Sequence, residues 1–63
     1  MTNPIYEMYE ELKEILNSSA IDAEKFDGGN SSAGTRVRKA MQEVKAIAQL
    51  VRKEVQEQKN SGI

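Results

Sequence analysis

A single turn-forming cluster, Asp27–Ser32, divides this 63-residue chain into two long stretches that contain few helix breakers. The one proline, Pro4, follows Asn3, and this pair is typical of a helix start because Asn caps helices and Pro suits the first helical position. Ser31 or Ser32 is expected to cap the second helix. The pattern predicts an all-α fold, a helical hairpin in one domain, 1–63, made of helix 4–26, turn 27–31 and helix 32–59.

Apolar residues recur every three or four positions in both halves, which is the spacing of one stripe along an α-helix. The weak helix formers Asn17–Ser19 interrupt the first half, but the stripe keeps its phase across them, so we expect a continuous helix. The residues predicted for the core or a dimer interface are Ile5, Tyr9, Leu12, Leu16, Phe26, Val37, Met41, Val44, Ile47, Val51 and Val55.

The small size of the chain predicts self-association. A domain of about 60 residues buries only about 60% of the surface that its unfolded chain exposes, and such domains usually need a further source of stability. Each helix carries an apolar stripe wider than one partner helix covers. We therefore expect a homodimer that forms an antiparallel four-helix bundle, with a tetramer as the open alternative.

Composition excludes several classes of function. The chain has no cysteine and no histidine, so disulfides, thiolate nucleophiles and imidazole chemistry are absent. Carboxylates one turn apart have no nucleophile or base beside them, and we expect no enzyme activity, metal, cofactor or small-molecule substrate. No apolar run reaches the length of a membrane span, and no signal-peptide pattern is present. We expect a cytoplasmic protein that does not contact membranes.

Charge is divided unevenly between the halves, although the net charge is only −1. Residues 1–29 carry seven acids and two bases, and residues 30–63 carry seven bases and three acids. Four of these bases recur at every seventh residue and so form a ridge beside the apolar stripe. The ridge suits DNA phosphates; alternatively, it is a solvated surface or pairs with the acidic first helix. The candidate DNA-binding residues are Arg36, Arg38, Lys39, Lys45, Arg52, Lys53 and Lys59.

Gly34 is unusual because it lies in the first turn of the predicted second helix, where glycine is less stable than alanine. Two explanations remain open. The glycine allows the two helices to approach closely near the turn, or it exposes backbone N–H groups to a phosphate oxygen.

The segment 29–45, which begins Gly-Asn-Ser-Ser-Ala-Gly-Thr-Arg-Val-Arg-Lys, together with Arg52-Lys53-Glu54, resembles the bacterial linker-histone-like nucleoid proteins of the chlamydial DNA-condensing type. The similarity covers most of 5–60. It implies a small helical protein of the bacterial nucleoid that binds DNA non-specifically, with Arg36 and Arg38 matching the basic helix start. Chlamydial members also carry a long Lys/Ala/Pro-rich tail, and this sequence reaches Ile63 without one.

These observations predict a non-enzymatic, histone-like protein that binds duplex DNA without sequence preference through phosphate contacts from its second helix. The alternative is a helical self-assembly or protein-interaction module that does not bind nucleic acid. What the basic ridge contacts in the folded protein distinguishes the two.

Overall fold

The protein is a hairpin of two α-helices in a computed structural model that describes residues 3–61. Helix α1 spans Pro4–Asp27 and helix α2 spans Ser31–Ser61, within an elongated shape of 52 × 19 × 11 Å. Within the described residues no strand occurs, and the all-α hairpin prediction is confirmed. Helix α1 continues without a break through Asn17–Ser19.

The turn between the helices is a Schellman motif. Gly29 has φ +105°, a left-handed conformation that favours glycine. The Gly29 N–H donates to the Phe26 carbonyl at 3.0 Å, and the Asn30 N–H donates to the Lys25 carbonyl at 2.9 Å. These bonds satisfy carbonyls that the end of α1 leaves unpaired, so the chain reverses within three residues.

Asn30 also caps α2, which corrects the prediction that Ser31 or Ser32 does so. Its side-chain Oδ1 accepts a hydrogen bond from the Ala33 N–H at 3.2 Å, and the Ser32 hydroxyl donates to the same oxygen at 2.9 Å. Asn30 precedes the first helical residue and is therefore placed as an N-cap, whereas Ser31 already has helical geometry. At the start of α1, Asn3 occupies the cap position without a side-chain cap bond.

Two rows of residues form the line of contact between the helices, which we call the seam. Its members are all buried or half-buried, and they alternate in steps of three and four as in an antiparallel coiled coil. The seam consists of Ile5, Met8, Leu12, Ile15, Ser19 and Asp22 on α1, and Ala33, Val37, Ala40, Val44, Ile47, Val51 and Glu54 on α2.

Two contacts near the turn fix the alignment of the helices. The phenyl ring of Phe26 lies over Gly34, and the carboxylate of Asp22 accepts a hydrogen bond from Arg36. Both helices rise 1.5 Å per residue, so residues that are equally far from the turn along the two helices lie at the same height along the hairpin axis. Position 15 on α1 therefore lies at the same height as position 44 on α2. In the same way, position 14 matches position 45, and position 7 matches position 52.

The seam alone makes a thin core. Among the described residues the buried apolar ones are only Ala33 and Ala40, and no large side chain is fully buried. Small side chains near the turn let the helices approach closely, while the larger aliphatic side chains farther away remain partly exposed. A core of this size is marginal for one copy of the chain.

Candidate nucleic-acid interface

The side of α2 that points away from α1 is basic along its whole length. Three rows of residues lie farthest from the seam, and we call them the outer face of α2. Among the described residues this face contains six cations and no acid: its charged members are Arg38, Lys39, Lys45, Arg52, Lys53 and Lys59, and its central row is Thr35, Gln42, Gln49 and Gln56. The acids of α2, Glu43, Glu54 and Glu57, lie instead on the seam or beside it.

The six cations of the outer face are exposed and form no ion pair within the described part of the chain. Arg38, Lys45 and Arg52 are seven residues apart, so their Cα atoms are about 10.5 Å from one another along the helix. Long basic side chains at this spacing can contact successive phosphates, and such contacts carry no sequence information. The geometry therefore leaves this face available to a polyanion.

Arg36 differs from the other predicted DNA-binding residues. Its Nε donates to Oδ1 of Asp22 at 2.9 Å, with the Arg36 side chain 50% exposed and the Asp22 side chain 21% exposed. Arg36 lies beside the seam and faces α1 rather than away from it. The structure thus groups six of the seven predicted residues on one face and places Arg36 in an interhelix ion pair.

The outer face of α1, made of the rows that point away from α2, has the opposite charge. Its five acids are Glu7, Glu10, Glu14, Glu24 and Asp27, and its one cation is Lys13. Lys13 Nζ lies 2.8 Å from Oε2 of Glu10. This hydrogen bond, with the charge of Glu10, raises the pKa of Lys13 above its ordinary value. The hairpin is therefore acidic on one outer side and basic on the other.

One flank of the seam is apolar and open to solvent. We call it the open apolar face, and its large members are 39% (Val55) to 52% (Tyr9 and Phe26) exposed. It consists of Tyr9, Leu16, Ala23 and Phe26 from α1 with Gly34, Met41, Ala48 and Val55 from α2. The predicted core set thus divides in two. Tyr9, Leu16, Phe26, Met41 and Val55 lie on this face, and Ile5, Leu12, Val37, Val44, Ile47 and Val51 lie in the seam.

Gly34 allows a close approach between the helices. A Cβ atom added there would lie 2.6 Å from both Cδ1 and Cε1 of Phe26. The ring of Phe26 therefore occupies the space that any other residue would need. This contact supports the packing explanation for the glycine.

Sequence reasoning missed the small and polar members of the seam. Ser19 is buried, and its hydroxyl donates to the Leu16 carbonyl at 3.3 Å. Asp22 and Glu54 are half-buried although they are acids. The alternation of three and four steps continues through all of these positions, so a strict heptad count would have found them.

Comparison with known protein families supplies the identity. The family model described as "Histone H1-like protein Hc1" matches residues 6–61, which is most of the chain. The chain belongs to the Hc1 family. Its match covers both helices and the turn, and so includes the basic outer face of α2. No curated protein and no solved structure matches the chain significantly.

Neither helix, over the residues described, is long and apolar enough to cross a membrane.

Proposed function

We propose that this Hc1-family chain is a non-enzymatic nucleoid protein that binds duplex DNA without sequence preference, through phosphate contacts from the outer face of α2. The observation that carries the proposal is the presence of six exposed cations, and no acid, on three adjacent rows of one helix. Membership of a histone H1-like family supports DNA as the polyanion. It also supports a location in the bacterial nucleoid.

The charge separation explains how a chain of net charge −1 can bind DNA. At physiological ionic strength the Debye length is about 8 Å, so charges much farther away are largely screened. The hairpin is 19 Å across its intermediate dimension. The acids on the outer face of α1 therefore repel the duplex only weakly when α2 contacts it.

The protein acts as a homodimer in this proposal, with a second copy covering the open apolar face to complete an antiparallel four-helix bundle. The thin seam supports this part, because a second copy would bury Leu16, Met41 and Val55. The same face is the observation that favours the alternative function, a self-assembly module without DNA binding. Measurement of duplex binding decides between them.

The test is titration of a fluorescently labelled duplex of about 20 base pairs, followed by anisotropy at 50 to 200 mM salt. Contacts with four to six phosphates predict a slope of log K against log [salt] of about −4 to −5. The variant Arg38→Glu/Arg52→Glu should lose binding at 50 mM salt while keeping its helical circular dichroism. The interaction-module alternative predicts no binding by the wild-type chain at micromolar dimer.

A matched control distinguishes the effect of charges on the outer face of α2 from the effect of the net charge of the protein. Lys13→Glu/Lys25→Glu changes the net charge by the same −4, but both changes lie on α1. We expect this control to retain most of the wild-type affinity at 150 mM salt. Equal losses in the two double variants would contradict binding through the outer face of α2.

A further inference from the structure

The central row of the outer face of α2 carries no charge, although cations lie on both sides of it. Its residues are Thr35, Gln42, Gln49 and Gln56, and all four are exposed. This row lies opposite the seam, so it is the part of α2 farthest from α1. Further cations at these positions would strengthen binding to phosphates, because each phosphate contact adds to the affinity. The uncharged row is therefore suited to a different kind of contact.

The side-chain amides of this row have no partner in the hairpin. Elsewhere on α2, Nε2 of Gln58 donates to Oε2 of Glu54 at 3.0 Å. Within the described residues, Gln42 and Gln49 form no hydrogen bond of this kind. Each amide keeps an oxygen that accepts hydrogen bonds and an NH₂ group that donates them. Both are available to a ligand that offers donors and acceptors together.

The two cationic rows are spaced like the walls of the major groove of B-DNA. One row includes Arg38, Lys45 and Arg52, and the other includes Lys39 and Lys53. The rows are about 100° apart around the helix, so charged ends about 8 Å from its axis lie about 12 Å from one row to the other. The major groove is about 12 Å wide and admits an α-helix, whereas the minor groove is about 6 Å wide. The two rows can therefore contact the phosphates of both strands while the central row faces the floor of the major groove.

We propose that the outer face of α2 lies in the major groove of the duplex, where Gln42 and Gln49 hydrogen-bond to base edges. Their Cα atoms are about 10.5 Å apart along the helix, which is close to three base-pair steps of about 3.4 Å. Every base pair presents both a donor and an acceptor in the major groove, so an amide finds a partner on any sequence. Such contacts are compatible with binding that has no sequence preference. The proposal rests on the proposed function and adds the groove and the base contacts to it.

The groove is tested with three duplexes of one sequence, compared by anisotropy at about 100 mM salt. The first duplex is unmodified. In the second, glucosylated 5-hydroxymethylcytosine replaces cytosine, which fills the major groove and leaves the phosphates unchanged, because C5 of a pyrimidine lies in that groove. In the third, inosine replaces guanine, which removes the amino group that guanine presents in the minor groove.

The wild-type protein should bind the glucosylated duplex at least about 10-fold more weakly than the unmodified one, and the inosine duplex within about 2-fold of it. Equal affinity for the unmodified and glucosylated duplexes would overturn the major-groove proposal and leave phosphate binding by α2 standing. An equal or larger loss on the inosine duplex would point to the minor groove and would also overturn it. No binding to any of the duplexes would overturn the proposed function, and this proposal with it.

The base contacts are tested with Gln42→Ala/Gln49→Ala, in which α2 is kept because alanine is the better helix former. This variant should bind the unmodified duplex about 3- to 10-fold more weakly, because it loses hydrogen bonds of modest net strength. The slope of log K against log [salt] should not change, because the phosphate contacts remain. The control Asn17→Ala removes an exposed amide from the outer face of α1 and should bind as the wild type does. Wild-type affinity in the glutamine variant would overturn the base contacts.

Discussion

The two helices are alike along their seam and opposite on their outer faces. Both contribute residues in steps of three and four to the same line of contact, and α1 ends at the turn where α2 begins. Yet the outer face of α1 carries five acids and one cation, whereas the outer face of α2 carries six cations and no acid. One packing pattern thus places two faces of opposite charge on opposite sides of the hairpin, and the helices differ on the surfaces that are exposed to solvent.

The largest expected change in duplex binding comes from placing acids on the outer face of α2, as on the outer face of α1. Gln42→Glu/Gln49→Glu places two carboxylates on the outer face of α2 with almost no change in side-chain shape. At about 8 Å from one or two phosphates each, they should weaken duplex binding about 5- to 30-fold. Salt titration by anisotropy measures the loss.

The matched control for this variant places the same two charges on the outer face of α1, as Asn17→Glu/Ile21→Glu. Both positions are exposed. Duplex affinity should change by less than about 2-fold at 150 mM salt because of screening. A loss of duplex affinity as large as that of the α2 variant would show that DNA binding does not depend on which outer face carries the added charges.

A second prediction concerns the contact that holds the faces together at the turn. In the background Phe26→Ala, Gly34→Ala should stabilise the protein by about 0.5–1 kcal/mol, because alanine is the better helix former. With Phe26 present, the new methyl group must displace the ring, and the gain should be cancelled or reversed. Chemical denaturation of the four proteins gives the coupling energy, which we expect to be about 1–2 kcal/mol. A coupling near zero would mean that the ring does not need the glycine.

Much of this arrangement follows from the sequence by physical argument. The spacing of Leu12, Val44 and Val51 predicts helices, and the glycines of the turn predict where they end. Sequence could not separate the seam from the open apolar face, because Leu12 and Leu16 lie within one broad apolar stripe. Only the alignment of the helices, fixed at the turn, assigns the first to the seam and the second to solvent.

The same limit explains why the pairing of Arg36 was not predicted. Along α2, Arg36 is two positions from Arg38, and both fit a basic helix start. Their surroundings differ because α1 brings Asp22 close to one of them and leaves the other exposed. Charge patterning within one helix cannot show which cations the other helix neutralises.

Removal of the ion pair of Arg36 should add an unpaired cation near the outer face of α2. Asp22→Asn removes the carboxylate that holds the guanidinium. We expect a loss of at most about 1 kcal/mol in the free energy of unfolding, since the Arg36 side chain is half exposed and the pair is partly screened. If the freed side chain reaches a phosphate, the slope of log K against log [salt] steepens by about 0.9. An unchanged slope would mean that Arg36 faces away from the bound duplex.

The smallest expected effect tests the one cation on the acidic side. Glu10→Gln removes the charged partner of Lys13, so the pKa of Lys13 should fall toward its ordinary value of 10.5. Because the folded pKa is raised, the contribution of the pair to stability is present below pH 10.5 and is lost as the pH rises through the folded value. The side chain is exposed, so Tm at pH 7 should not change measurably. Side-chain NMR titration of Lys13 in both proteins measures the shift. An unchanged pKa would mean that Glu10 does not hold this lysine, which would then be as free to meet a phosphate as the cations of α2.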